Sequence, residues 1–155
     1  QPPAAYVQRA AIITHEIAHM WFGDLVTMKW WNGLWLNESF ASLMETLALA
    51  EATRYKKDAW PHFFSGEKGW AYREDQLVTT HPIEVAIADT DKARASFDSI
   101  TYGKGASVLR QLRYFAGAIR AQEGGLSQIE RHLAKGLFAD DQRPVAVLKR
   151  TCDDL

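Results

Sequence analysis

The sequence predicts a mainly α-helical domain. Over most of its 155 residues, apolar side chains recur at intervals of three and four, the spacing that puts them on one face of a helix. No segment is convincingly a β-strand, because the apolar runs follow this helical spacing instead. Apolar residues make up 47% of the chain, which is typical of a globular domain and excludes a disordered one.

Charge and cysteine content narrow the classes of partner and of metal site. The net charge of −1 and the isoelectric point of about 6.6 argue against nucleic acid or a membrane surface as a partner. No stretch reaches the roughly 18 apolar residues of a membrane span. A single cysteine, Cys152, excludes an intrachain disulfide and a cysteine-based zinc cluster. Any metal ion must therefore be held by histidine and carboxylate groups.

The first predicted helix covers residues 4–22. Ala11 and Ala18 belong to a broad apolar stripe at helical spacing, and Gly23 is placed to end the helix. Residues 24–36 mix β-branched residues with tryptophan and glycine, which predicts an irregular connection.

Two further helices are predicted in the middle of the chain. Asn37 is a suitable N-cap for a helix over residues 38–52, where apolar side chains again recur at helical spacing. Asp58 can cap a third helix that extends to about Gln76, although two internal glycines weaken this prediction.

The last part of the chain predicts one extended segment and three more helices. Residues 79–83 should be extended, because the residue before a proline is pushed out of the α region. From Ser96 the pattern is helical again, and Gly117 can end that helix. Two shorter helices are predicted over residues 126–137 and 144–154.

The segment most informative about chemistry is His15-Glu16-Ile17-Ala18-His19, inside the first helix. Four residues at about 100° each return the two imidazoles to one face, one turn apart, so both can bind one metal ion. Glu16 lies between them and can approach a metal-bound water without itself ligating the metal. The alternative is a helix with two unrelated histidines.

Glu38 is the candidate third ligand. A catalytic zinc normally has three protein ligands and leaves one position for water. Glu38 follows His19 after 18 intervening residues and starts the second predicted helix, which could pack back on the first. The alternative is an exposed carboxylate that the helix dipole favours in a first turn.

Sequence blocks on both sides of this motif are similar to those of a known family. They comprise residues 15–28, 30–31, 34–38 and 40–41, and farther along residues 80–83 and 97–106. In this order they resemble the M1 (aminopeptidase N) family of gluzincins, and the resemblance extends from about residue 9 to about residue 115. Ser39 stands where many members of the family have glycine, a departure that leaves Glu38 in place.

The resemblance implies the fold, the cofactor and the roles of individual residues. The implied fold is the helical lobe of a thermolysin-like metallopeptidase catalytic domain, holding one Zn²⁺ and no other cofactor. The implied reaction is hydrolysis of the N-terminal peptide bond of peptides with a free N-terminus. His15, His19 and Glu38 match the zinc ligands, Glu16 the general base, and Tyr102 the tyrosine that stabilises the tetrahedral intermediate.

We expect residues 1–155 to form a single domain that is part of a larger protein. The Gly-x-Met-Glu-Asn block that binds the substrate amine in the family does not occur in this sequence. An N-terminal sheet lobe, further C-terminal domains and the native N-terminus are therefore expected outside this chain, which alone should be nearly inactive. The single cysteine fits a reducing compartment, so the expected location is the cytoplasm.

Two other residues have proposed or open roles. Glu45 lies seven residues after Glu38, nearly two turns along the same helix face, and could accept the second ring N–H of His15 or His19. The alternative is a solvated glutamate. His81 is equally well explained as a site residue or as a loop histidine.

Three functions fit these residues. The first is the aminopeptidase lobe described above. The second is a helical module that binds zinc or a partner without catalysis, and the third is the epoxide hydrolysis carried out by some relatives in the family. Retention of Glu16 and Tyr102 favours the peptidase, because a site that only stored metal would need neither residue.

Overall fold

The structure is a computed structural model that describes residues 3–123 of the chain. Its α-helices are α1 (Pro3–His19), α2 (Leu34–Ala52), α3 (Lys56–Phe63), α4 (Gly69–Glu74), α5 (Thr90–Ala95) and α6 (Gly105–Glu123). A 3₁₀ turn, Trp31–Gly33, precedes α2, and π-helical turns at Phe64–Lys68 and Ile100–Lys104 precede α4 and α6. Within residues 3–123 there is no β-strand, which confirms the mainly α prediction.

Helix α1 ends at His19, three residues before the predicted end. The chain then folds into a tight turn in which Gly23 has a φ of 130°. The Gly23 N–H donates to the Val26 carbonyl at 2.8 Å, and the Val26 N–H donates to the Trp21 carbonyl at 2.8 Å. Glycine is suited to this position because a Cβ disfavours positive φ.

Helix α2 begins at Leu34, so the prediction that Asn37 caps it is wrong. The N-cap is Gly33, which provides no side-chain hydrogen bond. The preceding 3₁₀ turn leads directly into the helix, so its first turn is specified by continuity of the backbone rather than by a capping side chain.

The third predicted helix is present, although its course differs from the prediction. The helical backbone runs from Lys56 to Glu74, interrupted by the π-helical turn at Phe64–Lys68. Asp58 lies in the first turn of α3 and is not its cap. Residues 79–83 are non-helical, but the prediction that all five are extended is not met, because Thr79 lies in a turn and Ile83 in a bend.

Helix α5 was not predicted, although a capping signal is present. Asp89 accepts a hydrogen bond from the Lys92 N–H at 2.8 Å, which is an N-cap contact. Gly117 lies inside α6 and does not end it. The helices predicted over residues 126–137 and 144–154 lie outside the described residues.

Small side chains allow α1 and α2 to pack closely. Ala11 on α1 and Ala41 on α2 are 3% and 0% exposed. One buried cluster contains Ala11, Leu49, Ala50 and Ala59, and another contains Leu43, Phe63, Ala106 and Leu109. The mutual packing of these helices places the N-terminal half of α2 beside the C-terminal half of α1.

The chain divides into two compact units, Gln1–Leu109 and Arg110–Leu155. All residues considered below belong to the first unit. One domain over residues 1–155 stays a prediction. Among the described residues, no helix combines the length and apolarity needed to cross a lipid bilayer.

The second π-helical turn and the start of α6 fit against their neighbours because each has a glycine at the point of closest approach, Gly103 in the turn and Gly105 at the start of α6. A Cβ added at Gly103 would overlap the backbone carbonyl of Glu67. A Cβ added at Gly105 would overlap the hydroxyl of Ser39, and it would lie 3.0 Å from the Ser39 Cβ. The backbone that follows Tyr102 therefore lies directly on α2, one residue from Glu38.

We expect Gly105→Ala to destabilise the chain by about 1–3 kcal/mol, because the new methyl group has no space beside Ser39. The measurement is the free energy of unfolding from denaturant titration. In the Ser39→Gly background the loss should be smaller, since both overlapping atoms are gone. Gly66→Ala is the matched control, because nothing lies within 4 Å of an added Cβ there. If Gly105→Ala lowered the free energy of unfolding equally in the wild-type and the Ser39→Gly backgrounds, the packing explanation would be contradicted.

Candidate metal centre

Helices α1 and α2 bring three donor atoms together. His15 and His19 lie one turn apart on α1, and Glu38 lies in the N-terminal part of α2. The two Nε2 atoms are 3.1 Å apart. Glu38 Oε2 lies 3.4 Å from His15 Nε2 and 3.3 Å from His19 Nε2. The three ligands suggested by sequence are thus the three groups that the structure brings into one cluster.

This triangle has the size of one face of a zinc coordination tetrahedron. Ligand atoms about 2.0–2.1 Å from a tetrahedral zinc must lie about 3.3–3.4 Å from each other. The observed edges of 3.1, 3.4 and 3.3 Å are close to that value. Two imidazoles and one carboxylate are a donor set that Zn²⁺ accepts. The residues present therefore fit a zinc ion.

The other nitrogen of each histidine has a hydrogen-bond acceptor beside it. His15 Nδ1 lies 3.2 Å from Glu45 Oε2, and His19 Nδ1 lies 2.8 Å from the Phe22 carbonyl oxygen. Both Nδ1 atoms must donate to these acceptors, so a neutral ring carries its lone pair on Nε2. The turn after α1 thus supplies a backbone contact that the sequence did not indicate.

The cluster favours a positive charge at its centre. Burial lowers the pKa of His15, but its hydrogen bonds to Glu38 and Glu45 outweigh burial and raise that pKa to about 9. Burial raises the pKa of Glu38, yet the hydrogen bonds from both histidines lower it to about 2. Two Nε2 lone pairs and a carboxylate oxygen cannot share this volume without a proton or a metal ion between them.

Tyr102 lies beside the donor triangle. Its ring stacks on the ring of His15, with centroids 5.8 Å apart and 24° between the planes, and its hydroxyl is close enough to Glu38 for each group to shift the pKa of the other. Burial and the charge of Glu38 raise the pKa of Tyr102 well above its ordinary value. The hydroxyl therefore stays protonated and available as a hydrogen-bond donor.

Glu16 has a more open position on α1. Its residue is exposed, and its negative charge contributes to the raised pKa of Tyr102. The Glu16 carboxylate is therefore close enough to Tyr102 to disfavour loss of the phenol proton. Glu16 is not one of the three clustered donors.

A cleft of about 660 Å³ adjoins Tyr102 and Glu45. Its walls are formed by Ile12, Phe63, Trp70 and Phe97, with the carboxylates of Glu67, Glu74 and Asp98 among its polar groups. Burial and the nearby charge of Glu45 raise the pKa of Glu67 to about 7. Sequence reasoning missed Glu67, because no short motif marks it and its burial depends on the first π-helical turn.

The segment that carries Tyr102 is also tied to α2. Ser39 Oγ donates to the carbonyl of Thr101 at 2.6 Å, and both residues are fully buried, at 0% and 2% exposure. Ser39 directly follows Glu38, and Thr101 directly precedes Tyr102. One hydrogen bond therefore connects the backbone beside the carboxylate donor to the backbone beside the phenol.

Comparisons with known proteins match the chain to one family model and to several curated proteins. The family described as "Peptidase family M1 domain" matches residues 3–141. The chain is 53% identical over 133 residues to Aminopeptidase N of Streptomyces lividans, which covers 83% of this chain and 15% of that protein. It is 49% identical over 126 residues to Tricorn protease-interacting factor F2 of Thermoplasma volcanium, covering 81% of this chain and 16% of that protein. It is 44% identical over 134 residues to Aminopeptidase M1-B of Oryza sativa subsp. japonica, and this match covers 86% of this chain and 15% of that protein.

These matches concern a limited part of each relative. The chain spans only 15–16% of the lengths of these three proteins. The matched residues include every side chain described above for the donor cluster, the phenol and the cleft.

We expect Glu45→Ala to weaken Zn²⁺ binding about 10–100-fold, because His15 would lose the acceptor that fixes its Nδ1 tautomer. Glu45→Gln should weaken it less, since the amide oxygen can still accept that proton. The measurement is a competition titration with a zinc chelator on the complete protein that contains this chain. Glu51→Ala, an exposed position on the same helix, is the control. Equal affinities for Glu45→Ala and Glu51→Ala would contradict the tautomer argument.

Proposed function

The chain belongs to peptidase family M1, as the resemblance of its sequence blocks implied, and from this premise we propose that it is the helical zinc-binding lobe of a metallo-aminopeptidase. The proposed reaction is hydrolysis of the N-terminal peptide bond of peptides with a free N-terminus. The observation that carries the proposal is the convergence of His15, His19 and Glu38 beside the hydroxyl of Tyr102.

In this proposal His15, His19 and Glu38 hold one Zn²⁺, and Glu45 fixes the tautomer of His15. A bound Zn²⁺ would polarise the scissile carbonyl and lower the pKa of water from about 15.7 towards about 7. The mutual spacing of the three donor atoms and the protonation of both Nδ1 atoms support this assignment.

Glu16 is the proposed general base. Its carboxylate accepts the proton of the attacking water and then passes that proton to the leaving amine. The position between two ligands on one turn of helix supports this role, since it brings a carboxylate near the donor triangle without a place in it.

Tyr102 is the proposed hydrogen-bond donor to the carbonyl oxygen as that oxygen becomes negative. Its raised pKa keeps the proton on the phenol throughout the working pH range. A fixed, neutral donor aimed at developing charge stabilises the transition state more than the ground state. The adjoining cleft, with its apolar walls, has room for part of a bound peptide.

The alternative is a helical module that binds zinc without catalysis. That alternative requires neither Glu16 nor a protonated phenol beside the ligands. Zinc binding by itself fits both proposals, so only turnover separates them.

We expect Glu16→Gln to lower kcat about 10²–10⁴-fold and Tyr102→Phe to lower it about 10²–10³-fold, because each change removes one group that acts in the transition state. The measurement is hydrolysis of an aminoacyl anilide by the complete protein, with zinc content determined in parallel. Zinc content should stay at the wild-type level in both variants.

Two controls make this test specific. Tyr72→Phe removes a hydroxyl from an exposed tyrosine of α4 and should leave kcat unchanged. An N-acetylated substrate should not be cleaved, since the proposed activity requires a free amine. A wild-type protein that holds zinc but cleaves no aminoacyl anilide would favour the non-catalytic module instead.

A further inference from the structure

Tyr102 lies in the π-helical turn Ile100–Lys104, here called the Tyr102 segment. Asp98, which precedes this segment, holds its N-terminal end. Asp98 Oδ1 accepts the backbone N–H of Thr101 at 3.0 Å, and the Asp98 carbonyl accepts the N–H of Tyr102 at 3.1 Å. The side chain and the backbone of one residue thus hold the two consecutive peptide groups that determine where the phenol points.

Asp98 is held in turn by His81. His81 Nε2 donates to Asp98 Oδ2 at 2.5 Å, and His81 Nδ1 lies 2.7 Å from the carbonyl oxygen of Pro82. A carboxylate and a carbonyl can only accept hydrogen bonds, so this geometry favours a proton on both ring nitrogens of His81. Burial lowers the pKa of His81, but the contacts with Asp98 and Pro82 outweigh burial and raise it. Asp98 thus has its two carboxylate oxygens occupied by different partners.

Resting on the proposed function, we propose that His81 is a positioning residue that fixes Tyr102 through Asp98. The proposed order of contacts is His81 to Asp98, and Asp98 to the backbone of Thr101 and Tyr102. Of the two interpretations of His81, this proposal adopts the role at the site. His81 does so without touching the donor triangle or the reacting atoms.

The remaining contacts of the segment explain why its N-terminal end needs this support. Ser39 holds the carbonyl of Thr101, and the close approach at Gly103 fixes the backbone after the phenol. On the N-terminal side Glu74 Oε2 accepts the N–H and the hydroxyl of Ser99, at 3.1 and 2.5 Å, while Asp98 holds the peptide N–H groups of Thr101 and Tyr102. A hydroxyl that must meet one oxygen tolerates little displacement, since an error of about 1 Å can cost about 10²-fold in rate.

We expect His81→Ala to lower kcat about tenfold while KM changes less than about twofold, because the group displaced acts in the transition state rather than in binding. The measurement is hydrolysis of an aminoacyl anilide by the zinc-loaded complete protein. In the Tyr102→Phe background His81→Ala should cause no further loss of kcat, since no hydroxyl remains to be positioned. Glu84→Ala is the control, because Glu84 is exposed and lies in the same non-helical stretch as His81.

Two substitutions of Asp98 separate its contact with His81 from its contact with Thr101. Asp98→Asn should retain most of kcat, because the amide oxygen can accept the Thr101 N–H while the amide NH₂ donates to a neutral His81. Asp98→Ser should lose activity as His81→Ala does, because serine can still cap Thr101 but is too short to reach His81. Asp98→Ser also keeps the test decisive if His81→Ala does not fold.

Each outcome has a defined meaning. Equal kcat values for His81→Ala, Asp98→Ser and the wild type would overturn the positioning role. A loss of kcat for His81→Ala that is the same with and without the Tyr102 hydroxyl would also overturn it, leaving the proposed function intact. Full activity of Tyr102→Phe itself would instead overturn the proposed role of Tyr102, and with it any role in positioning that residue.

Discussion

The close contact between α1 and α2 is the constraint on which the site depends. Buried alanines on both helices remove the bulk that would hold the two backbones apart. Where the helices pack together, Glu38 contacts the Nε2 atoms of both histidines. About two turns farther along α2, Glu45 contacts the Nδ1 atom of His15. A larger side chain between the helices would therefore move two carboxylates away from one imidazole at the same time.

The electrostatics of the cluster follow from that geometry. Each histidine faces an acceptor on its Nδ1 side, so both Nε2 lone pairs point towards Glu38. Such an arrangement is unfavourable for neutral rings and a carboxylate by themselves, and a cation at the centre makes it favourable. Burial and the charge of Glu38 raise the pKa of the Tyr102 phenol and hold it in its protonated form. The acid-base states of these side chains are consequences of one another.

Sequence reasoning succeeded where the helical repeat alone determines position. The four-residue spacing of His15 and His19 and the seven-residue spacing of Glu38 and Glu45 each put two groups on one helix face, whatever the surroundings. It failed for the start of α2, because a 3₁₀ turn replaced the expected capping side chain. It left His81 open, because the contact with Asp98 joins positions 17 residues apart, across a loop and the unpredicted helix α5. The burial of Glu67 was equally hidden, since it depends on a π-helical turn that no residue pattern specified.

The π-helical turn at Ile100–Lys104 gives the chain one residue more than a regular helix would use between Ser99 and α6. Each residue turns a helix by about 100°, so this extra residue sets the direction of Tyr102 relative to the buried face of α6. A deletion here would restore a regular helix and point the phenol to a different side while Ala106 and Leu109 kept their places in the core. For this stretch of the chain, length is therefore more tightly constrained than composition: insertions and deletions should be rarer in it than substitutions.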